Sequence, residues 1–262
     1  MKAMILAAGL GTRLRPLTDT RPKALVEVGG RTLLEIALSR LNSYGIRDVI
    51  VNTHHFSERI VDCLRAHDNF GMRIEISHEE VLLDTGGGLK KAANFFLRDP
   101  ASSGEAFILH NVDVISNIDL RRMIEFHLEN RALATLAVQE RSSSRSLLFD
   151  DELQLCGRKS AAQRPAEEGK TEMVRGSPRT RALAFCGIHV ISPRIFPLMT
   201  EEGVFSIIAP YLRLAGRGEK ILGFRADDYR WRDLGRLDDL MKAEQDASQS
   251  ASFPEGRTNI AK

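Results

Sequence analysis

Short apolar runs alternate with segments of helical spacing through the first 138 residues, and this rhythm restricts the fold more than any other feature of the chain. Lys2–Leu6, Val49–Val51 and Ala106–Leu109 are short and apolar, the pattern of strands covered on both faces of a parallel sheet. Arg73–Ser77 alternates, with Ile74 and Ile76 on one side, and Ala132–Val138 adds another strand. Between these runs, Thr32 and Glu35 form a Thr-x-x-Glu capping box ahead of Ile36, Leu38 and Leu41. Ser57 opens a helix carrying Ile60, Val61 and Leu64, Gly86–Leu97 reads as a glycine-started helix, and Asp119 caps a helix through Asn130. The alternation predicts an α/β fold whose mixed, mostly parallel sheet is flanked by helices on both faces.

After Val138 the rhythm changes. Ser146–Leu155 is expected to be a hairpin turning at Asp150 and Asp151, and the polar stretch from Arg158 to Arg181 a surface loop. Ala182–Ile191 and Ile221–Phe224 read as strands, and Phe205–Leu214 and Arg236–Gln245 as helices. One domain over residues 1–246 is therefore expected, in two parts at about 1–138 and 139–246, followed by a disordered tail at 247–262. At 29.2 kDa, area scaling lets roughly three quarters of the unfolded surface be buried, so neither disulfide nor metal is needed to hold the fold.

Composition mostly excludes. A net charge of +2 is too balanced to argue for nucleic acid, and no apolar run approaches a membrane span. Cys63, Cys156 and Cys186 are odd in number and far apart, which suits reduced thiols in a cytoplasmic protein. Chemistry must therefore be sought in local constellations. The first is the loop after Leu6, where Gly9 and Gly11 let backbone N–H groups approach an anion and Arg13, Arg15 and Lys23 add positive charge. It is neither a dinucleotide fingerprint, since Leu14 stands where the third glycine belongs, nor a phosphate loop of the Gly-Lys-Ser/Thr kind. The second is Glu79 to Gly88, with three glycines opening a helix; the third is His110-Asn111-Val112-Asp113 at the end of a buried strand, where open α/β sheets bind ligands. The fourth is Trp231-Arg232-Asp233-Leu234-Gly235.

Leu6–Thr18 and Pro22-Lys23 match almost without gaps the signature L-A-A/G-G-x-G-T-R-L-x-P-L-T…P-K. In this the chain resembles the sugar-1-phosphate nucleotidyltransferases, with the N-acetylmuramate-1-phosphate uridylyltransferases and mannose-1-phosphate guanylyltransferases nearest among them. The resemblance implies a Rossmann-like sheet of the nucleotide-diphospho-sugar transferase type. It implies Ala8 and Gly9 at the nucleotide base, Gly11, Thr12 and Arg13 around the triphosphate, and Arg13 and Lys23 as the cations of the phosphoryl centre. Glu79, six positions before Thr85, would accept from a ring N–H, favouring UTP or GTP; Thr85 and Gly86 belong to the segment that closes over the base. Asn111 would meet the sugar phosphate, and Asp113 and Asp233 would hold Mg²⁺, although Val112 stands where the family usually has glycine.

The implied reaction attaches a nucleotidyl group to a sugar 1-phosphate and releases pyrophosphate. Two polyanions must meet, so positioning and charge stabilisation matter more than covalent catalysis. Two further readings are weighed against this one: a homologue that binds nucleotide-sugar without turnover, and a dinucleotide-binding oxidoreductase module. The absence of a Glu-Lys-Pro sugar segment motivates the first, and Leu14 counts against the second.

Overall fold

The apolar run Lys2–Leu6 forms β1, and Asp48–Thr53 (β4) and Phe107–Asn111 (β6) lie parallel on either side of it. The computed structural model describes residues 1–99, 104–162 and 169–249. In chain order, β1 is followed by a small ribbon of β2 (Glu27–Val28) and β3 (Arg31–Thr32), then by α1 (Leu33–Ser43), β4, α2 (Ser57–Ala66) and β5 (Arg73–His78). Next come α3 (Asp84–Lys91), α4 (Ala93–Leu97), β6, β7 (Val114–Ser116), α5 (Leu120–Glu129) and β8 (Ala134–Gln139). The remainder is β9 (Arg145–Phe149), β10 (Leu155–Ser160), β11 (Thr171–Met173), β12 (Arg181–Ile191), α6 (Ile208–Gly216), β13 (Ile221–Arg225), β14 (Trp231–Asp233) and α7 (Leu237–Gln249).

The main sheet has the order β11-β10-β9-β12-β6-β1-β4-β5, with β8 joined to β12 and β13 to β8. All its strands but β10 and β12 run in one direction, so it is mixed and mostly parallel as expected. Core side chains divide between its faces. Leu34, Leu38, Ile60 and Met123 bring α1, α2 and α5 against one face, and Leu89, Phe96 and Tyr211 bring α3, α4 and α6 against the other. Stacked Phe96, Phe107 and Phe196 fill the second layer, with the Phe96 and Phe107 ring centroids 3.9 Å apart.

The caps form where polar side chains can meet orphan helix amides. Thr32 accepts from the Glu35 N–H at 3.1 Å, and Asp119 from the N–H groups of Arg121 and Arg122. The Glu35 carboxylate does not return to Thr32, because Arg31 Nε lies 2.7 Å from it. Three expectations change. The segment beginning at Gly86 is two helices, α3 starting at Asp84 and α4 beginning after Ala92. The stretch from Arg158 to Arg181 is not all loop: Gly157–Lys159 pairs with Thr171–Met173, so β10 and β11 form a hairpin arm. The last helix runs on to Gln249, which takes in residues 247–249 of the expected tail, and positions 250–262 lie outside the described residues.

Candidate active site

The site forms where β1, β4 and β6 end together, because the loops leaving a parallel sheet all emerge at its carboxyl edge. After Leu6 the chain runs to Gly11, whose φ of 65° starts a short 3-10 turn over Thr12–Leu14. Leu14 is fully buried and pins this turn to the core, which leaves Thr12 and Arg13 exposed. Thr18 closes the loop by donating from Oγ1 to the Gly11 carbonyl at 2.9 Å. Pro22, in an extended conformation, delivers Lys23 to a second 3-10 turn, where the lysine is nearly buried. Arg15 instead points to solvent and pairs with Asp19 at 3.2 Å, whereas Arg13 has no ion-pair partner among the described residues.

The two carboxylates expected as a pair lie within each other's electrostatic reach. Asp113 lies just past β6, and its Oδ2 forms an ion pair with Lys23 Nζ. Asp233 is carried in by β14, which pairs antiparallel with β7 so that Asp233 stands opposite Val114. The Leu234 N–H donates to the Asp113 carbonyl at 2.8 Å, and the Gly235 N–H to Asp233 Oδ1 at 2.7 Å. Burial first, and then the neighbouring Asp113 charge, raises the Asp233 carboxyl above the usual carboxylate range; Lys23, the Gly235 N–H and Arg13 pull it down. Gly235 sits at the centre of these groups. A Cβ there would lie 2.7 Å from Asp233 Oδ1, 2.8 Å from Arg13 Nη2 and 3.3 Å from Lys23 Nζ. Val112 replaces the family's glycine without strain, since its N–H continues the ladder to the Leu6 carbonyl at 3.2 Å and its side chain joins the core.

The region expected to read the base is arranged differently. Glu79 is fully buried, and its carboxylate accepts from Asn52 Nδ2 at 2.8 Å and from the Leu83 N–H at 2.9 Å. It presents no surface to a base in this arrangement, which corrects the expectation of a direct contact. Thr85 Oγ1 accepts from the Ile207 N–H, and the Gly86 N–H donates to the Phe205 carbonyl, so both expected binding groups are engaged with the segment before α6. Ala8 is buried and its N–H donates to Asn52 Oδ1, whereas Gly9 is exposed. Asn111, the last residue of β6, is half-buried beside Gly187 and faces the second part of the chain.

Sequence reading missed two contributors. Asn52 lies near the end of β4, after the apolar run Val49–Val51, where a polar side chain is unusual, and that oddity is its signal. Arg141 lies 3.8 Å over the Trp231 ring and donates to the Phe185 carbonyl, while Trp231 Nε1 donates to the Cys186 carbonyl. Together they fasten the start of β14, the strand that carries Asp233, through a contact between residues 90 positions apart (231 − 141) that no local pattern announces. Among the described residues no group of three or more His, Cys, Asp or Glu could hold an ion unaided.

Residues 2–146 match the model of the nucleotidyl transferase family. The chain is 33% identical over 243 residues to the N-acetylmuramate alpha-1-phosphate uridylyltransferase of Caulobacter vibrioides, covering 89% of this chain and 91% of that one. It is 31% identical to the protein of the same name from Neisseria meningitidis serogroup B, covering 93% and 97%. In structure it resembles HddC from Yersinia pseudotuberculosis complexed with GMP-PN, at a TM-score of 0.69 and 21% identity, over 94% of this chain and 98% of that one. With the signature loop, the paired carboxylates and the sheet that brings them together, the chain belongs to the nucleotidyl transferase family, among its sugar-1-phosphate nucleotidyltransferases.

Proposed function

We propose that the chain transfers a nucleotidyl group from UTP or GTP to a sugar 1-phosphate in a Mg²⁺-dependent reaction. The single observation that carries this reading is the convergence of Arg13, Lys23, Asp113 and Asp233 around the empty side-chain position of Gly235. A phosphate oxygen of the sugar attacks the α-phosphorus, the bond between that phosphorus and the bridging oxygen breaks, and pyrophosphate leaves. The attacking oxygen is already ionised near neutral pH, so no general base is required. Arg13, unpaired and exposed over Gly235, is placed to take the triphosphate, and Lys23 to hold Asp113 and offset charge at the α-phosphate.

Two carboxylates are a hard-oxygen donor set, and burial together with the neighbouring Asp113 charge, which raise the Asp233 carboxyl, would favour a cation beside them. Asp113 and Asp233 are the two carboxylates that would hold the ion among the described residues, and so few protein ligands suit Mg²⁺, which would also take phosphate and water. Asp113 and Asp233 would hold the ion, which would supply positive charge to offset what develops as pyrophosphate departs. The acceptor half-site is assigned to residues 139–246 with Asn111. UTP is the donor we expect to be preferred, because both relatives named above are uridylyltransferases. The three free thiols, two of them buried, support a reducing, cytoplasmic setting. No helix among the described residues is long and apolar enough to cross a membrane.

The test is a matrix of the four nucleoside triphosphates against sugar 1-phosphates, scored for pyrophosphate with and without Mg²⁺. Turnover with UTP or GTP that requires Mg²⁺, and falls about a hundredfold or more in Asp113→Asn, is the expected result. Binding of nucleotide-sugar without pyrophosphate release under any pairing would reject it in favour of a non-catalytic homologue.

A further inference from the structure

Where β1 leaves the sheet, its next two amides should lose their partners. The β1–β4 ladder ends at the pair Leu6 and Asn52, and the N–H groups of Ala7 and Ala8 lie beyond it. Both are buried and both donate to one atom, Asn52 Oδ1, at 2.6 Å and 3.3 Å. The side chain of Asn52 therefore continues the ladder by two amides. Its other end, Nδ2, donates to Glu79 Oε1, and Glu79 Oε2 accepts from the Leu83 N–H. Main-chain bonds hold Glu79 as well: its N–H donates to the Thr53 carbonyl at 2.7 Å, and its carbonyl lies 2.8 Å from His54 Nδ1. Neither Asn52 nor Glu79 has appreciable exposure, at 3% and 0%.

We infer that Asn52 and Glu79 are a positioning pair that orients the base-facing turn of the loop. A primary amide can be seated in two orientations that differ by exchange of its oxygen and nitrogen. Only one leaves an acceptor toward Ala7 and Ala8, and the acceptor-only carboxylate of Glu79 selects it. With the Ala7 and Ala8 N–H groups drawn inward, the first loop amide left for a ligand is that of Gly9, which has open space where a side chain would be. A second observation points to the same pair. Helix α3 passes so close that a Cβ on Gly88 would lie 2.7 Å from Glu79 Oε1 and 2.9 Å from Asn52 Nδ2. The loop after β1, the end of β4 and the start of α3 are thus held together by one four-bond network. This inference rests on the nucleotide-binding reading of the loop, and assigns Glu79 an indirect role in it.

The geometry dictates a reciprocal test. In Glu79→Gln, one of the two donors, Asn52 Nδ2 or the Leu83 N–H, must face an NH₂ group; alternatively Asn52 flips and sets its own NH₂ against Ala7 and Ala8. In Asn52→Asp, two carboxyl groups face each other. In the double variant Asn52→Asp/Glu79→Gln, the carboxylate now at position 52 accepts from Ala7 and Ala8 and from the new amide at position 79. The oxygen of that amide accepts from Leu83, so all four bonds return. Each single change should raise the NTP KM about tenfold, the cost of one unmatched buried donor, while the sugar-phosphate KM stays within about twofold. The double variant should restore the NTP KM to within about threefold of wild type, a strong non-additivity. Midpoints of thermal unfolding, measured on the same samples, separate positioning from folding. The inference is overturned if the single variants lose thermal stability without a selective change in NTP KM, or if the double variant is as impaired as the singles. Failure of the wild-type enzyme to turn over any NTP would instead reject the nucleotide reading itself.

Discussion

Asp113 and Asp233 are held 120 positions apart in the sequence (233 − 113) yet within each other's field, and the residues around them differ in what they are free to do. Lys23 is committed to Asp113, Arg15 to Asp19, and Arg13 to neither. Arg13 is therefore the cation we propose to meet the triphosphate first. Arg13→Ala is expected to lower kcat/KM for the NTP about a hundredfold and to leave the melting midpoint nearly unchanged, because an exposed cation with no ion pair among the described residues contributes little to folding. Arg15→Ala is the comparison, with an expected change of under about threefold, since its one contact is an exposed pair. Steady-state kinetics and thermal melts on the two variants decide the matter; equal losses would contradict the separate placement of the two arginines. These residues were legible in the sequence because a long motif of mixed composition surrounds them. Glu79 is legible only as an acceptor, since burial cannot be read from a loop sequence, and Asn52 is recognised as its partner only once β4 lies beside β5.

Helix α3 shows how an element can be shaped by what lies under it. Glycine inside a helix ordinarily weakens it, and replacement by alanine is then stabilising by roughly 0.5–1 kcal/mol. Gly86, Gly87 and Gly88 are all buried, packed in turn against Phe205, the Gly203 carbonyl and the Glu79–Asn52 pair. Gly88→Ala should therefore destabilise, by about 1–3 kcal/mol as in other overpacked cores. A lower melting midpoint with a raised NTP KM is the expected outcome; a higher midpoint would show that the pair has room to move. The sequence pointed to a helix here but placed its start at Gly86, because a leading glycine reads as a helix opening when its packing is unknown. The hairpin arm of β10 and β11 was hidden for the opposite reason. Thr171–Met173 is exposed throughout, so the pairing rests on backbone bonds and the cross-strand Arg158–Glu172 ion pair and leaves no apolar pattern to read.

At the scale of the molecule, three buried histidines link stability to pH. Burial lowers His189 to about 3 and His110 and His127 to about 4, against about 6.5 when unfolded. The unfolded chain binds more protons between those values, so stability is lost as pH falls through this window. At pH 5 each group could remove on the order of 2 kcal/mol, as an upper bound. Melting midpoints should drop steeply between pH 7 and pH 5, and a flat profile there would mean that these imidazoles are hydrated in solution. The long strand β12 bears on how the enzyme cycles. Residues 188–191 are laddered to β6 on one edge while 184–185 and 189–191 pair with β8 on the other, and residues 181–183 reach β9. The parallel half and the hairpin half are thus woven through a shared strand. To swing one against the other would shear several ladder bonds at once, each worth about 1 kcal/mol net. Opening by rigid-body rotation is closed to such a weave, so the tempo of substrate entry and pyrophosphate escape falls to the short loops at the strand ends.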